Sequence, residues 1–212
     1  MLFGLCNARP FFFPRKSHID NILCIGLSSL ICSSHVAATV CGHKSGVAAN
    51  CTLCSVKVLD GNGQGTLSGV IAGIDFVVKQ CQNNKSPCVI NMSLGMAESS
   101  ALLTKAVENA VAANVSVVVA AGNSNANACG TSPAKIPVAL TVGSTTKTDA
   151  RSSFSNFGNC VDVFAPGSDI TSAWKCSSSS STQACKSISN CQCYKTISGT
   201  SMASPRKFQF GE

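Results

Sequence analysis

The stretch Gly199-Thr200-Ser201-Met202-Ala203-Ser204-Pro205 sets a serine just after a glycine turn. A serine hydroxyl becomes a useful nucleophile only when a base takes its proton and nearby donors receive the oxyanion it creates. The glycine suits the turn, and the proline stands where a helix can begin. Unpaired N–H groups at a helix start would face the developing negative charge. A bare Gly-Thr-Ser is more commonly an ordinary helix cap, so the tripeptide alone decides nothing. A second candidate is Asn123, which follows Ala120-Ala121-Gly122. Its carboxamide can donate to an oxyanion, although an asparagine after a glycine is usually a turn residue. A third is Cys51-Thr52-Leu53-Cys54, with metal-ligand spacing. A zinc site needs a second pair, and strand-like surroundings would aim these two thiols in different directions.

The elements that must position these groups follow a repeating cycle. Leu53 to Leu59 reads as a strand that ends in the turn Asp60-Gly61-Asn62-Gly63. Thr66 or Ser68 can then cap a helix whose Val70, Ile71, Ile74, Val77 and Val78 recur at helical spacing. Cys88 to Met92 reads as a buried strand, and Ser99 or Ser100 opens a helix through Leu102, Leu103, Ala106, Val107, Ala110 and Val111. Val115 to Ala120 holds the continuous run Val117-Val118-Val119, expected of a strand covered on both faces. Further strands are predicted at Val138 to Gly143 and Val161 to Phe164. The fold class is therefore α/β, an open and mostly parallel sheet with helices on both faces. Its ligand site belongs beyond the carboxyl ends of the strands, where Asn123 falls.

Composition narrows the class of partner. With 212 residues, 45% of them apolar, the chain suits one globular domain. The formal charge is +7, but the basic residues are scattered, with Arg15-Lys16 and Arg206-Lys207 the only adjacent pairs, so a nucleic-acid partner is not expected. Fourteen cysteines point to disulfides in an oxidising, extracellular compartment. The run from Asn21 to Cys32 is too short to span a membrane and lacks the flanks of a clean secretory signal. Residues 1–31 read as neither a transit peptide nor a fold element. The serine- and cysteine-rich stretch from Ala173 to Tyr194 reads as a surface loop.

Taken whole, the heptapeptide around Ser201 resembles the subtilisin-like serine proteases, in particular the proteinase K branch. The resemblance runs from about His35 to Pro205 and includes Ser55-Val56-Lys57-Val58-Leu59-Asp60, Gly69-Val70-Ile71-Ala72-Gly73, Ser93-Leu94-Gly95, Ala120-Ala121-Gly122-Asn123, Ser132-Pro133-Ala134, Ser152-Ser153-Phe154-Ser155-Asn156 and Ala165-Pro166-Gly167. It implies that Ser201 is the acylating nucleophile and Asn123 the oxyanion donor. Ser93, Leu94 and Gly95, with Gly63 and Gly65 across the cleft, match segments that bind substrate backbone. Ala120, Ala121 and Gly122 would line an apolar pocket for the residue before the cut. Pro137, Ala139 and Asp162 match calcium ligands, an oxygen-only set suited to a hard cation. The resemblance also implies polypeptide substrates, a propeptide or protein inhibitor as partner, no cofactor in catalysis, and a bond between Cys129 and Cys160.

The chain departs from the family where the rest of the catalytic machinery is expected. The family's His-Gly-Thr-His-Val-Ala-Gly aligns with Cys32-Ser33-Ser34-His35-Val36-Ala37-Ala38, which puts Cys32 at the general-base position. A thiol replaces imidazole poorly in shuttling the serine proton. His35, three positions on, is expected to project elsewhere. The family's Asp-Thr-Gly strand has no counterpart, Asp20 being too close to Cys32, and residues 206–212 diverge. The expected organisation is an atypical segment 1–31, a partial peptidase domain 32–205 and a divergent tail 206–212. The expected function is a serine endopeptidase whose catalysis is impaired in this chain. The alternatives are a non-catalytic peptide-binding relative and a cysteine-rich structural fragment. With a core strand missing at the front, the sheet is expected to be under-covered.

Overall fold

A computed structural model describes residues 22–25, 29–48, 51–84, 87–96, 100–174 and 194–207. Most of the Ala173 to Tyr194 loop lies outside these residues, as does Asp20. The chain order is β1 (Ile22–Ile25), α1 (Ser29–Cys41), β2 (Leu53–Val56), α2 (Leu67–Asn84), β3 (Cys88–Met92), α3 (Ala101–Ala112), β4 (Val115–Ala120), β5 (Leu140–Thr145), β6 (Val163–Pro166), β7 (Ile170–Ala173), β8 (Tyr194–Ile197) and α4 (Thr200–Ala203). β1 to β6 form one sheet in the order β2-β1-β3-β4-β5-β6, every neighbouring pair parallel. β7 and β8 make a separate antiparallel pair.

Local chemistry explains where the elements begin. Of the two cap candidates for α2 it is Thr66 whose Oγ1 accepts the Gly69 N–H, at 3.1 Å. Ser100 Oγ accepts the Leu103 N–H at 3.3 Å at the start of α3. Each bond satisfies one of the donors that a helix N-terminus leaves without an intrahelical partner. The valine run of β4 is covered on both faces, as its continuity predicts. Val117 and Val119 pack with Ile90 and Met92 of β3 against Ile74 and Val77 of α2 and Leu103, Val107 and Ala110 of α3. Val118 faces the other way, joining Val142 of β5, Ala165 of β6 and Ala203 of α4. α1 belongs to this second layer, through Val36 against Ile170 and Met202 and Val40 against Leu53 and Val89.

Two expectations need correction. Residues 22–25 are a fold element after all: the apolar Ile-Leu-Cys-Ile run fills the strand position between β2 and β3, with Leu23 in register with Ile90 and Cys24 with both Ser55 and Asn91. The core strand thought absent is present, and what it lacks is an aspartate at its carboxyl end. The β5 and β6 strands begin about two residues later than their apolar patterns suggest, because Val138 is 45% exposed and Val161 lies in a turn whose N–H donates to Gly158 O.

Among the described residues three disulfides tie the layers, Cys41–Cys51, Cys81–Cys88 and Cys129–Cys160. Cys51, the first thiol of the metal-like pair, is thus committed to Cys41. The Cys129–Cys160 bond is the pairing implied by the resemblance.

Candidate active site

The chain leaves β1 toward β2 on one side and continues from β3 to β6 on the other, so the strand order reverses between β1 and β3. In an open parallel sheet the ligand crevice lies past the strand ends at such a reversal. The segments leaving β3 and β4 at that end are Ser93-Leu94-Gly95 and Ala121-Gly122-Asn123.

Ser201 sits in the first turn of α4, which is only four residues long and passes into a 3₁₀ turn over Ser204–Lys207. Pro205 therefore belongs to the turn that ends α4 rather than to a helix start. A single turn carries little aligned dipole, so any oxyanion stabilisation here must come from individual donors. The Ser201 hydroxyl donates to Ser93 O at a long 3.4 Å. Its backbone is held more firmly. Ser93 Oγ donates to Ser201 O at 3.1 Å, accepts from Asn91 Nδ2 at 2.9 Å and meets Ser204 Oγ at 2.9 Å. A hydroxyl has one hydrogen and two lone pairs, so all three capacities of Ser93 are used.

Asn123 lies directly across. Its Oδ1 accepts both the Thr200 N–H at 2.8 Å and the Thr200 hydroxyl at 2.9 Å. That double bond to the residue before the nucleophile fixes the amide's orientation and leaves Nδ2 as the donor on the open side. Thr200 Oγ1 also accepts the Gly122 N–H at 3.2 Å, closing a small ring between the β4 exit and the nucleophile turn.

A cavity of about 320 Å³ adjoins these groups, lined among others by Ser93, Leu94, Gly95, Met96, Ala120 and Gly122, with Asn123, Thr200 and Ser201 at its rim. A second, of about 520 Å³, shares Ser93 to Met96 and adds Leu59, Gly63, Gln64, Gly65 and Val70. Eight of the sequence-predicted residues thus gather along one cleft: Ser93, Leu94, Gly95, Gly63, Gly65, Ala120, Gly122 and Asn123, with Ser201 beside them. Ala121 does not join them. It is fully buried among Ala128, Ala134, Cys160 and Val161, because alternation past the strand end turns its methyl away from the cavity.

The Gly63–Gly65 rim is set by Asp60, whose Oδ1 accepts the Asn62 N–H at 2.9 Å and the Gln64 N–H at 2.8 Å. Those two bonds, the Gln64 one first, hold the Asp60 carboxyl below its ordinary value. The Asp-Gly-Asn-Gly sequence carried the signal for this turn.

His35 makes no hydrogen bond to Ser201. Its Nε2 lies 3.1 Å from Ile170 O and 3.1 Å from Lys195 O, pinning α1 to both strands of the β7–β8 pair. The ring is fully buried, its Nδ1 has no partner, and Trp174 meets it edge-on at 6.1 Å. Burial pushes its pKa down, against the opposing pull of the two carbonyls. Cys32 lies one helical turn earlier on α1. Among the described residues no imidazole or carboxylate bonds to Ser201 Oγ.

Pro137 and Ala139 lie just before β5, and Asp162 meets Thr141 at the start of that strand. Asp162 Oδ2 accepts the Thr141 N–H at 2.7 Å, while its own N–H donates to Thr141 O at 3.0 Å. A carboxylate with two main-chain carbonyls would make an oxygen-only donor set of the hard-cation type.

The model of the Subtilase family matches residues 33–206. The chain belongs to the subtilase family. It is 54% identical over 172 residues to an extracellular serine proteinase of Thermus sp. (strain Rt41A), a match covering 81% of this chain and 38% of that protein. It is likewise 54% identical over 172 residues to alkaline serine exoprotease A of Vibrio alginolyticus, covering 81% and 29%. Proteinase T of Parengyodontium album is 47% identical over 174 residues, covering 81% and 54%. Among solved structures, that of a cold-adapted subtilisin-like serine proteinase superposes with a TM-score of 0.75 at 42% identity, over 88% of this chain and 71% of that one. The subtilase chain thus spans between about a third and a half of these curated relatives. No helix among its described residues is long and apolar enough to cross a membrane.

Proposed function

We propose that this chain carries part of the peptidase domain, residues 32–205, of a secreted serine endopeptidase that cleaves polypeptides through an acyl-enzyme on Ser201. The observation that carries the reading is the Asn123–Thr200 pairing, which turns a carboxamide donor toward the nucleophile's open side at the mouth of an apolar cavity. A substrate strand lying along Ser93-Leu94-Gly95, with Gly63 and Gly65 opposite, would place its scissile carbonyl between Ser201 Oγ and Asn123 Nδ2. The tetrahedral oxyanion then takes the Asn123 N–H as its side-chain donor. The cavity wall of Leu94, Met96, Ala120 and Gly122 suits an apolar or aromatic side chain before the cut. A propeptide or inhibitor segment would use the same cleft, and relatives named extracellular support secretion.

The 212-residue polypeptide is impaired in this chemistry. Among the described residues Ser201 Oγ meets a backbone carbonyl alone, and His35 spends its ring on Ile170 and Lys195. Acylation of an amide needs a base that takes the serine proton and returns it to the leaving amine. This favours a second reading, a peptide-binding relative that keeps the cleft without turnover. Pro137 O, Ala139 O and the Asp162 carboxylate would hold a structural calcium, which takes no part in bond cleavage.

The two readings separate on an activated peptidyl ester, whose leaving group needs no proton. An acyl-transfer site hydrolyses it at a rate that Ser201→Ala abolishes, while an anilide of the same peptide is turned over far more slowly. A peptide-binding protein binds both and shows no difference between parent and Ser201→Ala.

A further inference from the structure

Asn123 is exposed, and among the described residues its side chain bonds to Thr200 alone, so something else must hold its backbone in place. The residue that does so comes from more than thirty positions away. Asn156 is fully buried and makes four bonds that bracket Asn123 on both sides. Its Nδ2 donates to Ala121 O at 2.8 Å and its backbone N–H to Gly122 O at 2.9 Å. Its Oδ1 accepts the Ser124 N–H at 3.0 Å and the Ala126 N–H at 3.1 Å.

An amide oxygen has two lone pairs, and both are taken by the turn. No neighbouring residue type reproduces the set, because only a carboxamide offers a donor and two acceptor sites on so short a stem. Gly122 has φ +104°, and a Cβ there would run into Asn156 Nδ2, so the turn and its clamp fit only each other. Leaving the buried Ala121 carbonyl and the part-buried N–H groups of Ser124 and Ala126 unpaired would be costly, and the turn would shift to recover them.

We propose that Asn156 is the positioning residue for the oxyanion donor, acting on acyl transfer through Asn123. This rests on the functional reading above. It predicts a loss in the transition state that depends on Asn123, whereas a direct role in the cavity, which Asn156 also lines, would appear in KM and persist without Asn123.

The test is a double-substitution cycle on hydrolysis of an activated peptidyl ester by the full chain. Asn156→Ala is expected to lower kcat roughly 10- to 100-fold, the range for ångström-scale misplacement of a catalytic group, with KM changed less than about twofold. In the Asn123→Ala background it is expected to lower kcat no further. Asn156→Asp keeps the size and the two acceptor bonds but sets a carboxyl oxygen against Ala121 O at a buried site, so its loss should also fall in kcat and should likewise vanish in that background. It serves if Asn156→Ala does not fold. Losses that multiply in the double variants, or that appear in KM, overturn the proposal while leaving the functional reading intact. Hydrolysis that survives Ser201→Ala overturns the functional reading and the proposal with it.

Discussion

Replacing Cys129 and Cys160 together by alanine removes the bond that closes the longest disulfide loop among the described residues, with 31 residues of separation against 10 for Cys41–Cys51 and 7 for Cys81–Cys88. In the chain-entropy description a cross-link stabilises mainly by restricting the unfolded chain, and its effect grows with the logarithm of loop length. The separations then give about 3.7 kcal/mol for Cys129–Cys160, about 2.7 for Cys41–Cys51 and about 2.4 for Cys81–Cys88. For a domain of this size each kcal/mol moves Tm by about 2–4 °C, so loss of the longest loop should lower it by roughly 7–15 °C. The bond also ties the turn at Ala128 to the strand entering β6, enclosing Asn156 between its ends. Urea unfolding followed at Trp174, the chain's single tryptophan, would measure all three paired variants under oxidising conditions. A loss for Cys129/Cys160 no larger than that for Cys81/Cys88 would refute the loop-entropy reasoning, and peptide mapping that paired Cys129 elsewhere would refute the connectivity.

Gly122→Ala should lose about 1–3 kcal/mol from the positive φ alone, with a further loss from the contact with Asn156 Nδ2; a thermal melt within 1 °C of the parent would contradict this. His35 is held neutral by burial, so the unfolded chain takes up its proton first as pH falls. Stability contributed by the neutral ring is present above pH ~6.5 and is lost as pH drops below that through the folded-state pKa. Melts across this range should show a downward slope that flattens in His35→Gln, and equal slopes in both proteins would count against the assignment. Millimolar calcium should raise the Tm of the parent and leave Asp162→Ala unchanged; an equal rise in both would place the cation elsewhere.

Local pattern carried most of the fold. The Val117-Val118-Val119 run announces a doubly covered strand, and the Ser99-Ser100 pair announces the start of α3, because both signals live within one element. β1 was passed over since four apolar residues carry no period, and the family's acidic marker, which would have flagged them, is not there. Ala121 was misassigned by one step of alternation at the end of β4, where a strand's face ceases to be readable from its neighbours. The gathering of Ser93, Asn123 and Ser201 followed from the family-like segments. Asn156 lay inside one such segment, yet its role depends on partners 30 to 35 residues distant. His35 likewise finds its acceptors 135 and 160 positions away. Sequence spacing carries no trace of such contacts, whereas the turn at Asp60 was legible because its bonds span only two and four residues.

The proposal under test is that Ser201 is built to be acylated while no described residue is placed to deprotonate it. Intact-mass spectrometry after acid quench of the chain with an activated peptidyl ester tests both halves at once. The account predicts an adduct of one acyl group that maps to Ser201, is absent from Ser201→Ala, is reduced in Asn123→Ala, and does not form from the matching peptide anilide over the same time. Removing a single oxyanion donor costs subtilisin on the order of 10²- to 10³-fold in kcat, a value taken over from that enzyme, and sets the scale for the Asn123 arm. An adduct on another residue, or rapid acylation by the anilide, would contradict the account.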